Sequence, residues 1–500
     1  MRQIVSDNVQ HETIADRFLS QLGNAYLCLP EACYARHLPR PIAQAQLLYF
    51  NPALAQELKL DANLCTRDDL TQIFCGNLLP KQAEPIALAY AGHQFGYFNP
   101  RMGDGRALLI GTLQDQWGQL RDLQLKGSGP NPFSKRGDGL AALGPVLREA
   151  IVSEAMQALG VPTTRTLAAV ATNQTVYREQ PLPGAILTRV AHSHIRIGTF
   201  EYCAAHGGEA MLKAYLDYAI TRHDPDLIGV EQPALAFLSR VIERQAKLIA
   251  HWMAIGFIHG VMNTDNMAVS GQTIDYGPCA FLDVYSHDKC FSSIDEQGRY
   301  AYGNQPQIGL WNLTRLAQAL LSVINVDGEK AIEQARAALS QFQPLYERAW
   351  LQHMRLKLGL SNEQDGDGQL VADFLSALEK HKLDFTLSFR DLAAMAVTQT
   401  IPATYRPLQD WCDHWRARLN NQTQKPEESA MMMRNANPRF IPRNHRIEQA
   451  IAAAVTHNDY SLFHTLMDVL SKPYEDQPDW AAYAAPPNAE ECVLMTFCGT

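Results

Sequence analysis

No two cysteines stand at C-x-x-C spacing; the ten, at positions 28, 33, 65, 75, 203, 279, 290, 412, 492 and 498, are scattered along 500 residues. That scatter excludes a zinc ribbon and a small disulfide-stapled scaffold, and points to a reducing, cytoplasmic setting. No run of 18 apolar residues occurs, so no transmembrane helix and no membrane partner are expected. Positive charge is not in excess: 43 basic against 52 acidic residues leave a formal charge of -9, which opposes general nucleic-acid binding. Any phosphate must therefore be held locally. The first residues, MRQIVSDNVQHETIADRF, carry Asp7, Glu12 and Asp16 without an apolar stretch, so they read as neither a signal peptide nor a transit peptide. No repeat period is visible. What the chain does have is 46% hydrophobic residues, enough for a large core divided into two or three subdomains.

Residues 1–85 read as short helices and loops broken by Pro30, Pro39, Pro41 and Pro52. From Ile86 the pattern becomes strand, turn, strand: Ala107 to Leu113 and Leu120 to Lys126, with the turn at Asp115 to Gly118. The loop GSGPNPFSKRGDG precedes a helix whose Leu147, Ile151, Ala155 and Leu159 share one face. Short strands follow near 165–172 and 185–190. A long apolar-striped helix over 236–256 leads into HGVMNTDN (259–266), and NMAVSGQTIDYG reads as a tight hairpin. Helices dominate thereafter, with polar loops at 362–369 and 420–440.

Polar residues beside glycines recur in a telling order: the GDGR turn (103–106), Lys126 at a strand end, Glu149 in the next helix, then Asp265, Asn266 and Asp275. Gly103 and Gly105 let backbone amides approach phosphate oxygens, and Arg106 offers a forked pair of donors. Lys126, ion-paired to Glu149, suits a positional cation, while Asn266 and Asp275 supply the oxygens that Mg²⁺ prefers. Each feature alone has an ordinary reading as a turn, a solvated side chain or a cap. Arg189 and Arg196 stay undecided on spacing, and His192, His194 and His206 do not stand at metal-ligand spacing. The order as a whole is that of a two-lobed kinase. One part is displaced: the third position of HGVMNTDN, where a kinase carries its catalytic Asp, holds Val261.

YAGHQFG (90–96), GDGRA (103–107), LQLKGSG (123–129), GDG (137–139), LTRVAHSHIRIGTF (187–200), GFIHGVMNTDNM (256–267), TIDYGP (273–278) and NPRFIPRNHRIEQAI (437–451) resemble the selenoprotein O family, from about residue 85 to the C-terminus. The resemblance implies an α+β, protein-kinase-like two-lobed fold: a supporting extension at 1–85, an N-lobe at 86–205, a C-lobe at 206–420 and a helical C-terminal extension at 421–500. It implies a protein adenylyltransferase that binds ATP inverted and transfers AMP to Ser, Thr or Tyr hydroxyls of protein substrates, with Mg²⁺ (or Mn²⁺) as cofactor. By the same resemblance Asp265 is the proton acceptor, Asn266 and Asp275 hold the metal, and Gly103, Gly105, Arg106, Lys126, Asp138, Gly139, Arg189 and Arg196 contact ATP. Cys498, where animal members carry selenocysteine, and Cys279 form a candidate redox disulfide, against the alternative of a buried thiol and a free tail thiol. An ordinary phosphotransferase, against which Val261 counts, and a silent ATP-binding pseudokinase are the competing readings.

Overall fold

The computed structural model describes residues 12–497. Its strands are β1 (Tyr34–Arg36), β2 (Gln46–Phe50), β3 (Ile86–Leu88), β4 (Gly92–Gln94), β5 (Tyr97–Asn99), β6 (Ala107–Gln114), β7 (Leu120–Lys126), β8 (Ala141–Ala142), β9 (Arg165–Tyr177), β10 (Pro181–Ala191), β11 (Phe257–Ile258) and β12 (Ala280–Phe281). The chain divides into two compact units.

The first unit comprises the residues up to Leu88, 104–141 and 166–192. Its antiparallel sheet runs in the order β1-β3-β6-β7-β10-β9-β2. The run ALLIGTLQ is buried over its first seven residues, as a central strand covered on both faces must be. Asp115 makes the expected turn by accepting the amides of Trp117 and Gln119 at 2.9 and 2.8 Å, which fixes the register from Ala107 opposite Lys126 to Gln114 opposite Leu120. Phe18, Leu47, Phe74, Leu108, Leu125, Leu167 and Ile186 share one apolar core. The first 85 residues give more than helices and loops: besides α1 (Ile14–Phe18), α2 (Pro52–Glu57) and α3 (Arg67–Phe74), they supply β1 and β2, which pair with β3 and β9. Strands of three and five residues beside prolines carry too little periodicity to be read from sequence.

The second unit comprises 89–103, 142–165 and 193 onward and is mainly helical. In α4 (Leu143–Ala158) the expected stripe is buried, and so are Arg148 and Glu149; Arg148 pairs with Glu448 on α15 (Asn444–His457). Helices α5 (Ile197–His206), α6 (Gly208–His223), α7 (Pro233–Ile255) and α8 (Gln305–Ile324) follow, and α5 and α8 hold the loop of interest by side-chain bonds. That loop leaves β11 and returns through β12, which pair Phe257 with Phe281 and Ile258 with Ala280. The expected hairpin at 266–277 is reduced to one bridge, Met267 with Thr273. Its backbone groups bond elsewhere: Ile197 N–H to the Met267 carbonyl, Val269 N–H to that of Ile195, and Thr273 N–H to that of Pro162. Helices α9 (Gly328–Leu339), α10 (Phe342–Lys357), α11 (Asp367–Lys380), α12 (Phe385–Thr398), α13 (Gln409–Asn420), α14 (Pro426–Ala436), α16 (Ser461–Leu470) and α17 (Ala481–Ala484) also belong to this unit. The segment 420–440, expected as a loop, contains α14; Pro426 in its first turn and the Glu428 carboxylate accepting the Lys425 amide at 2.9 Å define its start. Among the described residues, no helix is long and apolar enough to cross a membrane.

Candidate active site

HGVMNTDN is suspended from its neighbours by side-chain amides. Gln305 on α8 accepts the His259 amide N–H at 2.9 Å, and Asn312 donates to the Met262 carbonyl at 2.9 Å. The His259 ring lies 2.9 Å from the Ile274 carbonyl and staples the outgoing segment to the incoming one; burial lowers its pKa, so it donates there as a neutral imidazole. Val261 is a buried core residue, and its carbonyl accepts the Asn266 amide nitrogen at 3.0 Å, which leaves the Asn266 amide oxygen as an acceptor.

Arg196 brings the separate segments to one point. Buried at the start of α5 and stacked 5.0 Å over Tyr90, its guanidinium donates to the Asp265 carbonyl at 2.5 Å and pairs with the Asp275 carboxylate. Asp275 takes a left-handed backbone, φ 63°, uncommon for a residue with a side chain and frequent at functional turns. Asp265 is 6% exposed, and its Oδ1 has no hydrogen-bond partner. Burial pushes its carboxyl up to about 7; the Arg196 charge opposes this, while Asp275 and Glu201 add repulsion. Asp265, Asn266 and Asp275 thus present oxygen donors only, the set a hard divalent cation takes. Among the described residues no three His, Cys, Asp or Glu side chains form a cage, so a cation here would complete its shell with phosphate or water oxygens.

A short hairpin backs this loop. The amides of His93 in β4 and of Phe95 donate to the Thr264 hydroxyl at 2.7 Å and to the Asn263 side-chain oxygen at 3.1 Å. The Thr264 hydroxyl donates to the buried Glu201 carboxylate at 2.5 Å, and Glu201 also pairs with the His93 ring. Gly92 faces Asp265 so closely that a Cβ there would stand 2.8 Å from its Oδ1.

The remaining expected residues lie in the first unit, apart from Gly103 and Glu149. Lys126 ends β7 opposite Leu187, and Arg189 on β10 stands opposite Gln124, so Lys126 and Arg189 share a face of the sheet. Arg189 is buried and donates to Gln124 at 3.3 Å, and Gln124 in turn donates to Asp104 at 3.0 Å. Gly105 and Arg106 lead into β6. Asp138 receives two bonds from Arg178, at 2.8 and 3.2 Å, which hold its carboxyl below the ordinary range with help from the Arg106 charge. Gly139, at φ 67°, packs on the GSG turn; a Cβ there would lie 2.1 Å from the Gly129 carbonyl oxygen. Gly103 and Glu149 belong to the second unit, where Glu149 is buried on α4, as is Cys279; Cys498 lies outside the described residues.

Residues 20–471 match the family described as protein adenylyltransferase SelO. The chain is 55% identical over 487 residues to the protein nucleotidyltransferase YdiU of Rhizobium meliloti, covering 96% of this chain and 99% of the relative. It is 53% identical to the Rhizobium johnstonii protein of the same name (95% and 97% covered) and 52% identical to that of Bradyrhizobium diazoefficiens (95% and 98%). The chain belongs to the SelO family. It is therefore an enzyme, a protein adenylyltransferase, with ATP as substrate and proteins as acceptors. Sequence reading of this SelO chain missed Glu201, Thr264, Asp104 and Arg178. Thr264 and Asp104 sit inside quoted motifs, where a polar neighbour of each named residue was a usable signal. Glu201 and Arg178 reach their partners across 63 and 40 residues and carry no local mark.

Proposed function

We propose that this SelO protein transfers AMP to Ser, Thr or Tyr hydroxyls from an ATP held inverted relative to a kinase, in a kinase-like two-lobed fold, with Asp265 as proton acceptor. The observation that carries this reading is the state of Asp265: buried, unpaired at Oδ1, and fixed through its carbonyl by the same Arg196 that holds Asp275. Val261 is apolar and cannot accept a proton, so the only carboxyl in HGVMNTDN is that of Asp265.

The acceptor oxygen attacks the α-phosphorus, the bond to the β-phosphate bridging oxygen breaks, pyrophosphate leaves, and the hydroxyl proton passes to Asp265. Asn266 and Asp275 would hold Mg²⁺, which when bound neutralises phosphate charge. Lys126, for which Glu149 is the expected ion-pair partner, with Arg106, Arg189, Arg196 and the backbone at Gly103, Gly105, Asp138 and Gly139, would bind the nucleotide by charge and amide donors. Substrate proteins are met in the cytoplasm, without nucleic acid. A Cys279–Cys498 disulfide would couple the tail to the segment after TIDYGP. Thr496 supports this coupling, since it donates to the Pro278 carbonyl at 2.6 Å, beside Cys279. Non-reducing peptide mapping finds the 279/498 cross-link in oxidised protein, or removes the switch.

The main test incubates the protein with Mg²⁺, a generic protein acceptor and ATP labelled at the α- or the γ-phosphate. Label from the α position alone, lost in Asp265→Asn, supports the reading. Label from the γ position makes the protein a kinase, and none from either makes it a silent nucleotide binder.

A further inference from the structure

The hairpin behind Asp265 carries an aromatic and cationic surface that the transfer chemistry does not use. Tyr97 is 82% exposed and Phe98 44%, on β5, whose partner strand β4 is bonded to the Asp265 loop. The Phe98 ring lies 4.9 Å from that of His93, and His93 lies 5.4 Å, edge-on, from half-buried Trp311 of α8. Two guanidiniums stack on Trp311: Arg299 at 4.7 Å and Arg315 at 5.1 Å. The Arg299 Cζ also stands 4.0 Å from where a Gly96 side chain would begin, at the hairpin tip.

Neither arginine is paired with a carboxylate among the described residues. Arg299 has Nε and Nη2, and Arg315 has Nε, buried without partners, the polar neighbour of Arg299 being the Tyr300 hydroxyl. Nine more acidic than basic residues make unpaired arginines costly to leave idle, because carboxylates to neutralise them are plentiful in this chain. Exposed aromatics beside partly exposed arginines that have no carboxylate partner are the composition of an interface centre. The opposite charge comes from outside.

We propose that Tyr97, Phe98, Trp311, Arg299 and Arg315 form the docking surface for an acidic segment of the acceptor protein, flanking the hydroxyl presented to Asp265. Carboxylates of that segment pair with the two partly exposed guanidinium groups, and its apolar residues cover the hairpin aromatics. The surface is tied to the reacting loop through His93 and Thr264, so the occupant is the acceptor itself. This assignment rests on the adenylyl-transfer reading, and its test separates the two.

A fluorescein-labelled serine peptide with Asp/Glu flanks and its Asn/Gln-flanked isostere are titrated against the full chain by anisotropy, without nucleotide. The acidic peptide is expected to bind at least about tenfold more tightly. Arg299→Gln/Arg315→Gln should erase that preference, Arg299→Lys/Arg315→Lys should keep most of it, and ATP affinity and melting temperature should stay unchanged in both variants. In transfer assays the Gln variant should raise KM for the acidic peptide about tenfold with little change in kcat. Equal binding of the two peptides, or an unchanged preference in the Gln variant, overturns the docking surface. A wild type that binds the acidic peptide yet moves no α-label to any protein overturns the transfer reading and leaves the surface standing.

Discussion

Replacing Asp265 by Asn should make the protein inactive and, at alkaline pH, more stable. In the fold the carboxyl keeps its proton up to about pH 7, against an ordinary value of 3.8. Between those values the native state binds more protons than the unfolded chain, so this group's contribution is full below about pH 4 and is lost as pH rises through about 7. Asparagine has no proton to lose. At about 1.4 kcal/mol per pH unit, the advantage of the variant grows by about 3 kcal/mol between pH 5 and pH 8. Unfolding entropy near 2.1 cal/mol/K per residue converts this to about 3 °C for a chain of this size. Thermal melts of both proteins at pH 5 and pH 8, free of nucleotide and divalent cations, measure the difference of differences. A variant that melts lower at pH 8 than at pH 5, relative to wild type, or a gap that does not move with pH, would refute a buried, unpaired Asp265 carboxyl. Active Asp265→Asn protein would refute its role as base.

The same proton sets the activity profile: kcat/KM for AMP transfer should fall about tenfold per pH unit below about 7, measured in buffers of constant ionic strength, because the free enzyme must release it to act as base. Gly92→Ala places a Cβ 2.8 Å from the Asp265 oxygen and should lower transfer about 10- to 100-fold while the melting temperature moves by only about 1–2 °C, since a displaced carboxyl costs catalysis more than packing. Gly139→Ala meets both a left-handed backbone and the Gly129 carbonyl, so the GDG loop must shift; the expected outcome is a KM for ATP raised at least about tenfold, read by initial rates at saturating acceptor.

Local features were legible in the sequence, and long-range ones were not. The Asp115 turn, the β6–β7 pair, the long helix and the order of the GDGR, HGVMNTDN and TIDYG segments all follow from spacing within one element. Strands β1 and β2 escaped because strands so short carry no period of their own, and α14 escaped because NNQTQKPEES is polar throughout, although its Pro426 and acidic first turn mark a helix start. The hairpin at 266–277 failed for a different reason. Its edges are taken by 195–197 and by Pro162, partners brought there by tertiary packing. Glu201 illustrates the limit for the site: its function is expressed only through His93 and Thr264, which the chain brings from 108 and 63 residues away.

Arg196 explains how an aspartate in contact with an arginine keeps the basicity of an unpaired one. A guanidinium bonded directly to a carboxylate stabilises the charged form and lowers the pKa by about 1–3 units, which would make Asp265 a poorer proton acceptor. Here the guanidinium grips the Asp265 backbone carbonyl and the Asp275 carboxylate instead, so the position of Asp265 is fixed while its Oδ1 stays unbonded. Asp275 is the carboxylate that Arg196 pairs with directly. One arginine thereby holds two acidic residues ten positions apart in different ways, one through its backbone carbonyl and the other through its carboxylate. Exchange of Arg196 for Lys, with a single ammonium in place of the fork, should fail to hold both contacts and lower AMP transfer, measured with α-labelled ATP.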